Sequence, residues 1–303
     1  MTRSYAPLLF TLAAIWGASY LFIKVAVDEI EPPALMAARV LIALAVLLPV
    51  LMISRGAVPA LRELRAAWAP GLVLGVLNAA LPFTLIAWGE KHVDSGVAAV
   101  ANATVPIFIA LLAIRFQPSE RATGVRLAGI FVGLVGVGVL AGGQPEAGVW
   151  PVLGTLAVVG SSLSYAVSGL YAQRRLGEAA GPVLAVASLL GAALVLLPFG
   201  LATMPRDAPS WEAAGSVLAL AVLGTAAGFL IMFRMLRLFG AARVSLVTYL
   251  MPAIAVVYGA LLLDEAVTPG VAGGLVLILV GVALGSGGAR LPRRALEAPS
   301  PQP

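Results

Sequence analysis

Few side chains in this sequence could do chemistry, and they are of one kind. Near the centres of long apolar stretches stand Trp16, Asn78, Asn102, Thr104, Ser161, Ser162, Tyr165, Thr225, Thr248 and Tyr249. Hydroxyls, amides and aromatic rings bind a small molecule rather than transform it. An enzyme would need His, Asp or Glu clustered at the same depth, and the chain has a single histidine, His92, and no cysteine. Neither a catalytic set nor a metal site is expected from that inventory, and no cofactor. No Gly-Lys pair occurs, so there is no phosphate loop of the Walker type, and Gly136-Val137-Gly138 lacks the preceding strand that a dinucleotide loop needs. Asn102-Ala103-Thr104 fits a glycosylation pattern but lies within an apolar run.

What must position these residues follows from composition. The chain of 303 residues is 61% hydrophobic and 11% charged, with a mean hydropathy of +1.02. A soluble domain carries roughly a quarter charged residues. Apolar runs of about 20 residues, the length that crosses a bilayer as helix, recur along almost the whole chain. The expected class is all-α, a polytopic membrane protein, because helices satisfy their own backbone groups in lipid. Its basic residues are scattered singly, which argues against a nucleic-acid partner despite a pI near 10. The opening stretch has a charge and then an apolar run, but the run exceeds a cleavable leader and reads as an uncleaved first helix.

Ten spans are expected, at 5–26, 33–53, 67–89, 93–115, 124–142, 150–173, 181–201, 212–237, 242–262 and 268–287, with 288–303 as a disordered tail. Placing the N-terminus in the cytoplasm puts 15 of the 19 Lys and Arg on the inner side, so both termini are expected there. The chain also repeats itself. Pro106, Glu120, Gly129 and Gly136 return as Pro252, Glu265, Gly274 and Gly281; proline to glutamate is 14 and 13 residues, glutamate to the glycines 9 and 16 in both. Pro33 and Pro49 of span 2 are matched by Pro182 and Pro198 of span 7, and Ser19-Tyr20 by Ser164-Tyr165. The expected units are 1–145 and 146–287, and five spans in each make the second inverted relative to the first. Inverted halves of this kind exchange conformations about a central site, which implies transport by alternating access.

Prolines and charges refine the site. A proline within a helix removes the hydrogen bond to the carbonyl four residues earlier. Pro82, Pro106 and Pro252 would therefore free the carbonyls of Asn78, Asn102 and Thr248 and act as hinges. The alternative is that Asn and Thr only mend the broken turn or bond to neighbouring helices. Arg39 has two readings, neutralising a carboxylate of a substrate or pairing with an acid such as Asp28 or Glu90. Lys24 poses the same choice, against snorkelling. No acid lies centrally, which leans towards facilitated movement or exchange; Glu90 and His92 are the exceptions at an outer end, with His92 read as a solvated loop residue. Glu120 and Glu265 are expected to face the helix dipoles of spans 5 and 10. Small residues four apart, as at Gly129 and Gly133, Gly270 and Gly274, Gly281 and Gly285, would support close packing or a homodimer.

Trp16-Gly17-Ala18-Ser19 with Lys24, then Arg39, then the repeated proline–glutamate–glycine unit resemble the drug/metabolite transporter superfamily, EamA type, over about residues 5–287. That resemblance implies a ten-helix carrier of a bacterial inner membrane, often an exporter of amino acids or other metabolites, with spans 1, 3, 4, 6, 8 and 9 around the cavity. The cavity would present Trp16, Tyr20, Trp88, Tyr165 and Tyr249 among amides and hydroxyls. A small neutral or zwitterionic metabolite suits it, with membrane lipid and a second copy in a homodimer as the other expected partners. The competing readings are an exporter of lipophilic drugs or toxic cations, and a membrane receptor or structural protein, which would not need an inverted repeat.

Overall fold

The computed structural model describes residues 5–116, 124–143, 148–175 and 181–285. Among them every regular element is helical. The tail 288–303 and Glu120 lie outside the described residues.

Seven helices are long and apolar enough to cross a membrane: Tyr5–Val27, Pro32–Arg55, Trp68–Glu90, Ser95–Ala113, Val149–Arg175, Gly181–Ala202 and Trp211–Phe239. Three shorter apolar helices, Leu127–Gly142, Val247–Leu262 and Pro269–Leu284, complete the series. In chain order these are spans 1 to 10, within a few residues of where hydropathy puts them. One helix escapes that reading. Ala57–Ala66 buries Ala60 and Leu64 and ties Arg55 to Glu63 at 3.3 Å, an amphipathic connector between spans 2 and 3.

The packing has a simple order. Span 5 lies on span 10, span 2 on span 7, and span 4 on span 9. Span 1 packs on spans 8 and 9, as span 6 packs on spans 3 and 4; span 2 meets span 8, as span 7 meets span 3. Exchanging span n with span n+5 leaves this set of contacts unchanged.

Close approach explains the glycines. In lipid, helices gain little from hydrophobic burial, so small residues and van der Waals contact decide which faces meet. A Cβ on Gly281 would collide with the backbone of Gly133, and one on Gly270 with Gly143. The small-residue pairs of spans 5 and 10 thus form a seam inside the chain. A second seam joins span 3 to span 7, where Gly71 and Gly75 abut Ala187 and Gly191.

Candidate functional site

Span 4 is broken where the repeated proline stands. Its helix stops at Asn102, turns through Ala103 and Thr104, and restarts as Val105–Phe116. Pro106 is the second residue of the new helix, where a missing N–H costs nothing. The carbonyl of Asn102 accepts from the Ser162 hydroxyl at 3.2 Å. Its side-chain oxygen accepts from Ser161 at 3.3 Å and Ser162 at 3.2 Å, and its amide donates to the Tyr20 hydroxyl at 2.8 Å. Spans 1, 4 and 6 are thereby joined by one polar cluster in the interior.

Spans 3 and 8 each contain a widened, π-helical turn, Val76–Ala80 and Leu220–Ala227. Such turns bond residues five apart and leave carbonyls open to other donors. In span 3 the Leu81 N–H reaches the Val76 carbonyl. The next donor in register would be Pro82, which has none, so it is the carbonyl of Leu77, rather than that of Asn78, that lacks its helical donor. Ser164 of span 6 supplies a hydroxyl to it at 2.7 Å. In span 8 the Gly224 carbonyl accepts from the Trp16 indole at 3.1 Å. Thr225, one residue on, accepts from the Arg39 Nε at 2.9 Å.

Arg39 is 7% exposed, lies with its guanidinium 3.8 Å from the Phe83 ring centroid, and forms no ion pair among the described residues. The expected pairing with Asp28 or Glu90 is therefore not the arrangement found. A guanidinium has five N–H donors. Stacking on an aromatic face offsets part of the cost of burying it.

At one end of the bundle a vestibule of about 760 Å³ is lined by Lys24, Asp28, His92, Asp94, Trp150 and Glu265, among others. Lys24 is half-buried at the vestibule wall and is tied to the backbone rather than extended into water alone. Its ammonium donates to the backbone carbonyls of Glu90 at 2.9 Å and Val93 at 3.0 Å. His92 is likewise not a freely solvated loop residue: its ring stacks on Trp150 at 5.1 Å and meets the edge of Trp88 at 4.6 Å. Partial burial, with Lys91 and Lys24 nearby, holds its imidazole below the ordinary histidine value. The far end of spans 1, 8 and 9 is closed by Leu9, Leu12, Met235, Val244 and Val247, with Tyr5 donating to the Arg243 carbonyl at 2.9 Å.

Glu265 corrects an expectation. It stands before span 10 in sequence but serves span 4, accepting from the Ser95 N–H at 2.7 Å, the Ser95 hydroxyl at 2.9 Å and the Gly96 N–H at 3.1 Å. Asp264, with φ of 55°, turns the chain back so that the carboxylate sits over Gly259. Span 10 is capped by Thr268, which accepts from the Val271 N–H at 3.2 Å.

Of the expected site residues, Tyr20, Asn102 and Ser161 are brought into direct contact, and Tyr165 and Tyr249 pack on the same core. Asn78 lies in the widened turn of span 3. Thr248 stands apart from the cluster, its hydroxyl bonded to the Ser245 carbonyl at 2.7 Å. Pro252 lies inside the helix Val247–Leu262, and the break in span 9 falls earlier, at Ser245 and Leu246. Short-range bonding by the Thr248 hydroxyl and amide to Ser245 sets that turn. Sequence reasoning missed Phe83, Trp150, Ser95 and Ser164 as contributors; only Ser164 carried a signal, its match to Ser19.

Comparison with known proteins falls on the same elements. The sequence model of the EamA-like transporter family matches residues 3–142 and again 152–286. The uncharacterized inner membrane transporter YedA of Escherichia coli is 29% identical over 85% of this chain and 83% of its own length. A probable terminal-alkyne amino-acid exporter of Streptantibioticus cattleyicolor is 30% identical over 97% and 94%. A probable amino-acid metabolite efflux pump of Escherichia coli is 25% identical over 93% and 94%. One solved crystal structure shares the fold with a TM-score of 0.65 at 21% identity, covering 94% of this chain and 97% of that one.

Proposed function

The chain belongs to the EamA-like transporter family and is a multi-pass membrane transporter, and from that premise we propose that it exports amino acids or similar small zwitterionic metabolites. The observation that carries the substrate class is Arg39. A buried guanidinium with one hydroxyl, the Met36 sulfur, one ring face and no carboxylate still retains donors for an anionic group. A substrate carboxylate is the natural occupant, and the Tyr20–Asn102–Ser161 cluster offers the neutral acceptors that an ammonium requires. Two relatives named for amino-acid export agree with this reading.

Movement occurs by alternating access between the halves 1–145 and 146–287, inverted with respect to one another. Support comes from the two family matches and from packing that survives exchange of span n with span n+5. With both termini in the cytoplasm, the vestibule at Lys24 and Glu265 faces outward and the apolar seal at Leu12 and Val247 closes the inner side. Breaks at Pro106 and Ser245 and the widened turns serve as hinges, since they are the places where backbone bonding is already irregular.

Counterflow in proteoliposomes tests the reading. Vesicles preloaded with an unlabelled amino-acid mixture should take up labelled amino acid with saturable kinetics. Asn102→Ala and Tyr165→Ala should slow it while the purified protein keeps its melting temperature to within a few degrees. Absence of counterflow for every amino acid, with uptake of a lipophilic cation instead, would overturn the substrate assignment.

A further inference from the structure

Glu90 is the last residue of span 3 and is 0% exposed, and neither carboxylate oxygen has a hydrogen-bond partner among the described residues. It is the only buried acid among the described residues, and less buried acids nearby are anchored: Glu265 by Ser95 and Gly96, the exposed Glu31 by Lys91 at 2.8 Å. The ammonium of Lys24 lies close enough to bond the Glu90 backbone carbonyl, yet it is turned to that carbonyl and to Val93 rather than to the carboxylate. Removing an ionised carboxylate from water costs several kcal/mol unless donors replace the water. Here the donors are present within reach but directed elsewhere. That is the arrangement of a carboxyl group holding a proton, beside a cation that can take over when the proton leaves.

We infer that Glu90 is a proton-carrying residue of this transporter, exchanging its proton with water of the vestibule. In its protonated form the carboxyl is neutral and Lys24 binds the two carbonyls. On opening, the O–H bond breaks, the proton passes to a vestibule water, and one ammonium N–H of Lys24 turns to the carboxylate, so that the pair goes from a net charge of +1 to neutral. The charged groups around it fit this cycle. Span 1 faces it with Lys24 and Tyr20, span 2 with Arg39, the connection after span 9 with Glu265, and its own connection carries Lys91 and His92. Span 6 packs on the neighbouring Gly89 through Gly154 and Val158, keeping that side dry. Glu265 is held on the N-terminus of span 4, so it is not free to accept the proton in this state. Proton exchange at Glu90 would couple metabolite movement to a pH gradient, in place of the simple facilitation that the absence of a central acid suggested; this coupling rests on the transport reading, whereas the proton site does not.

Two measurements on the full chain in lipid separate these claims. Infrared difference spectra recorded while pH is varied should contain a protonated-carboxyl carbonyl band that is lost in Glu90→Gln, the neutral isostere, and shifted in Glu90→Asp, which keeps a carboxyl one methylene shorter. A band unchanged in Glu90→Gln, or missing from the wild-type chain, overturns the proton site. In proteoliposomes an imposed pH gradient should drive accumulation of labelled amino acid, and the ratio of accumulation to counterflow in Glu90→Gln should fall to that of wild type without a gradient. Counterflow in the wild type that ignores the gradient overturns the coupling and leaves the transport reading standing. No counterflow with any amino acid sinks the substrate reading, with the infrared band still deciding Glu90.

Discussion

Replacing Glu265 with alanine distinguishes two physical roles for one carboxylate. If Glu265 only faced the dipole of span 10, its loss would cost about 0.3–1 kcal/mol. The structure gives it three hydrogen bonds, from the Ser95 N–H, the Ser95 hydroxyl and the Gly96 N–H. Bonds to a charged acceptor contribute about 1.5–3 kcal/mol each. They are not additive here, because Glu265 lines the vestibule and water can reach the amides it leaves. Between full loss and full rehydration, about 2–4 kcal/mol is expected, more than the ~1 kcal/mol typical of an exposed N-cap.

The assay has two parts. At about 2 °C per kcal/mol for a chain of this size, Glu265→Ala should melt roughly 4–8 °C below wild type in detergent, against about 1–2 °C for a dipole effect alone. Glu265→Gln, which keeps one acceptor oxygen, should fall between. Amide exchange followed by mass spectrometry should accelerate at 95–97 and not at 269–273. A small shift in melting with unchanged exchange at the start of span 4 would refute the cross-connection. Gly259→Ala provides an independent perturbation, since its methyl would occupy the place of the Glu265 carboxylate and should accelerate the same amides.

Gly281→Ala should destabilise by about 1–3 kcal/mol through collision with the Gly133 backbone, whereas Gly138→Ala, with nothing within 4 Å of its Cβ, should be neutral or stabilising by up to about 1 kcal/mol; melting temperatures compare the two. Tyr20→Phe and Asn102→Ala should couple in a double-mutant cycle by about 0.6 kcal/mol, the average for bonds between membrane helices, and by no more than ~1.7 kcal/mol; strict additivity would deny their hydrogen bond. Glu29 accepts from both the amide and the hydroxyl of Ser210, and these donors hold its carboxyl below the usual value. Its stabilising effect is then full above the ordinary glutamate pKa and is lost as pH falls through the lower folded one, so Glu29→Gln should flatten the acid side of the wild-type melting profile.

Hydropathy reads this fold well because lipid allows little else: each apolar run must be a helix, and its length is set by the bilayer. The glycine pairs of spans 5 and 10 were legible for the same reason, since only small residues let helices meet closely. The polar cluster was partly legible. Asn102, Tyr20 and Ser161 stand out as costly in an apolar run, but their partners are set by packing between spans 1, 4 and 6. Glu265 and Glu90 show where sequence distance misleads. Glu265 is near span 10 in sequence and bonds 170 residues away, to Ser95. Glu90 looks like an acid at a span end, which ordinarily reaches water, and only the packing of Gly89 on span 6 and the Lys24 contact carry it into a dry site.

The widened turns expose a signal that a period of 3.6 residues cannot carry. A π-helical turn leaves hydropathy unchanged while rotating everything after it relative to everything before. Both turns fall on matching text, Asn78-Ala79-Ala80 in span 3 and Thr225-Ala226-Ala227 in span 8. Pro82 follows the first, but Phe229 stands at the corresponding place after the second, so proline is not the common cause. What the two share is a short polar residue followed by two alanines, with a donor from another span directed at the loosened backbone: Ser164 to Leu77 in one, Trp16 to Gly224 in the other. External donors of this kind remove the penalty of an unmatched carbonyl in a dry interior, and so hold a turn that an isolated helix would close. The two halves then differ in charge at this level rather than in shape. Arg39 reaches Thr225, whereas the place of Arg39 in the second half is taken by Ser188, whose buried hydroxyl has no partner among the described residues. Packing that survives exchange of span n with span n+5 thus carries a cation on one side only, which accords with the proposed site for a carboxylate.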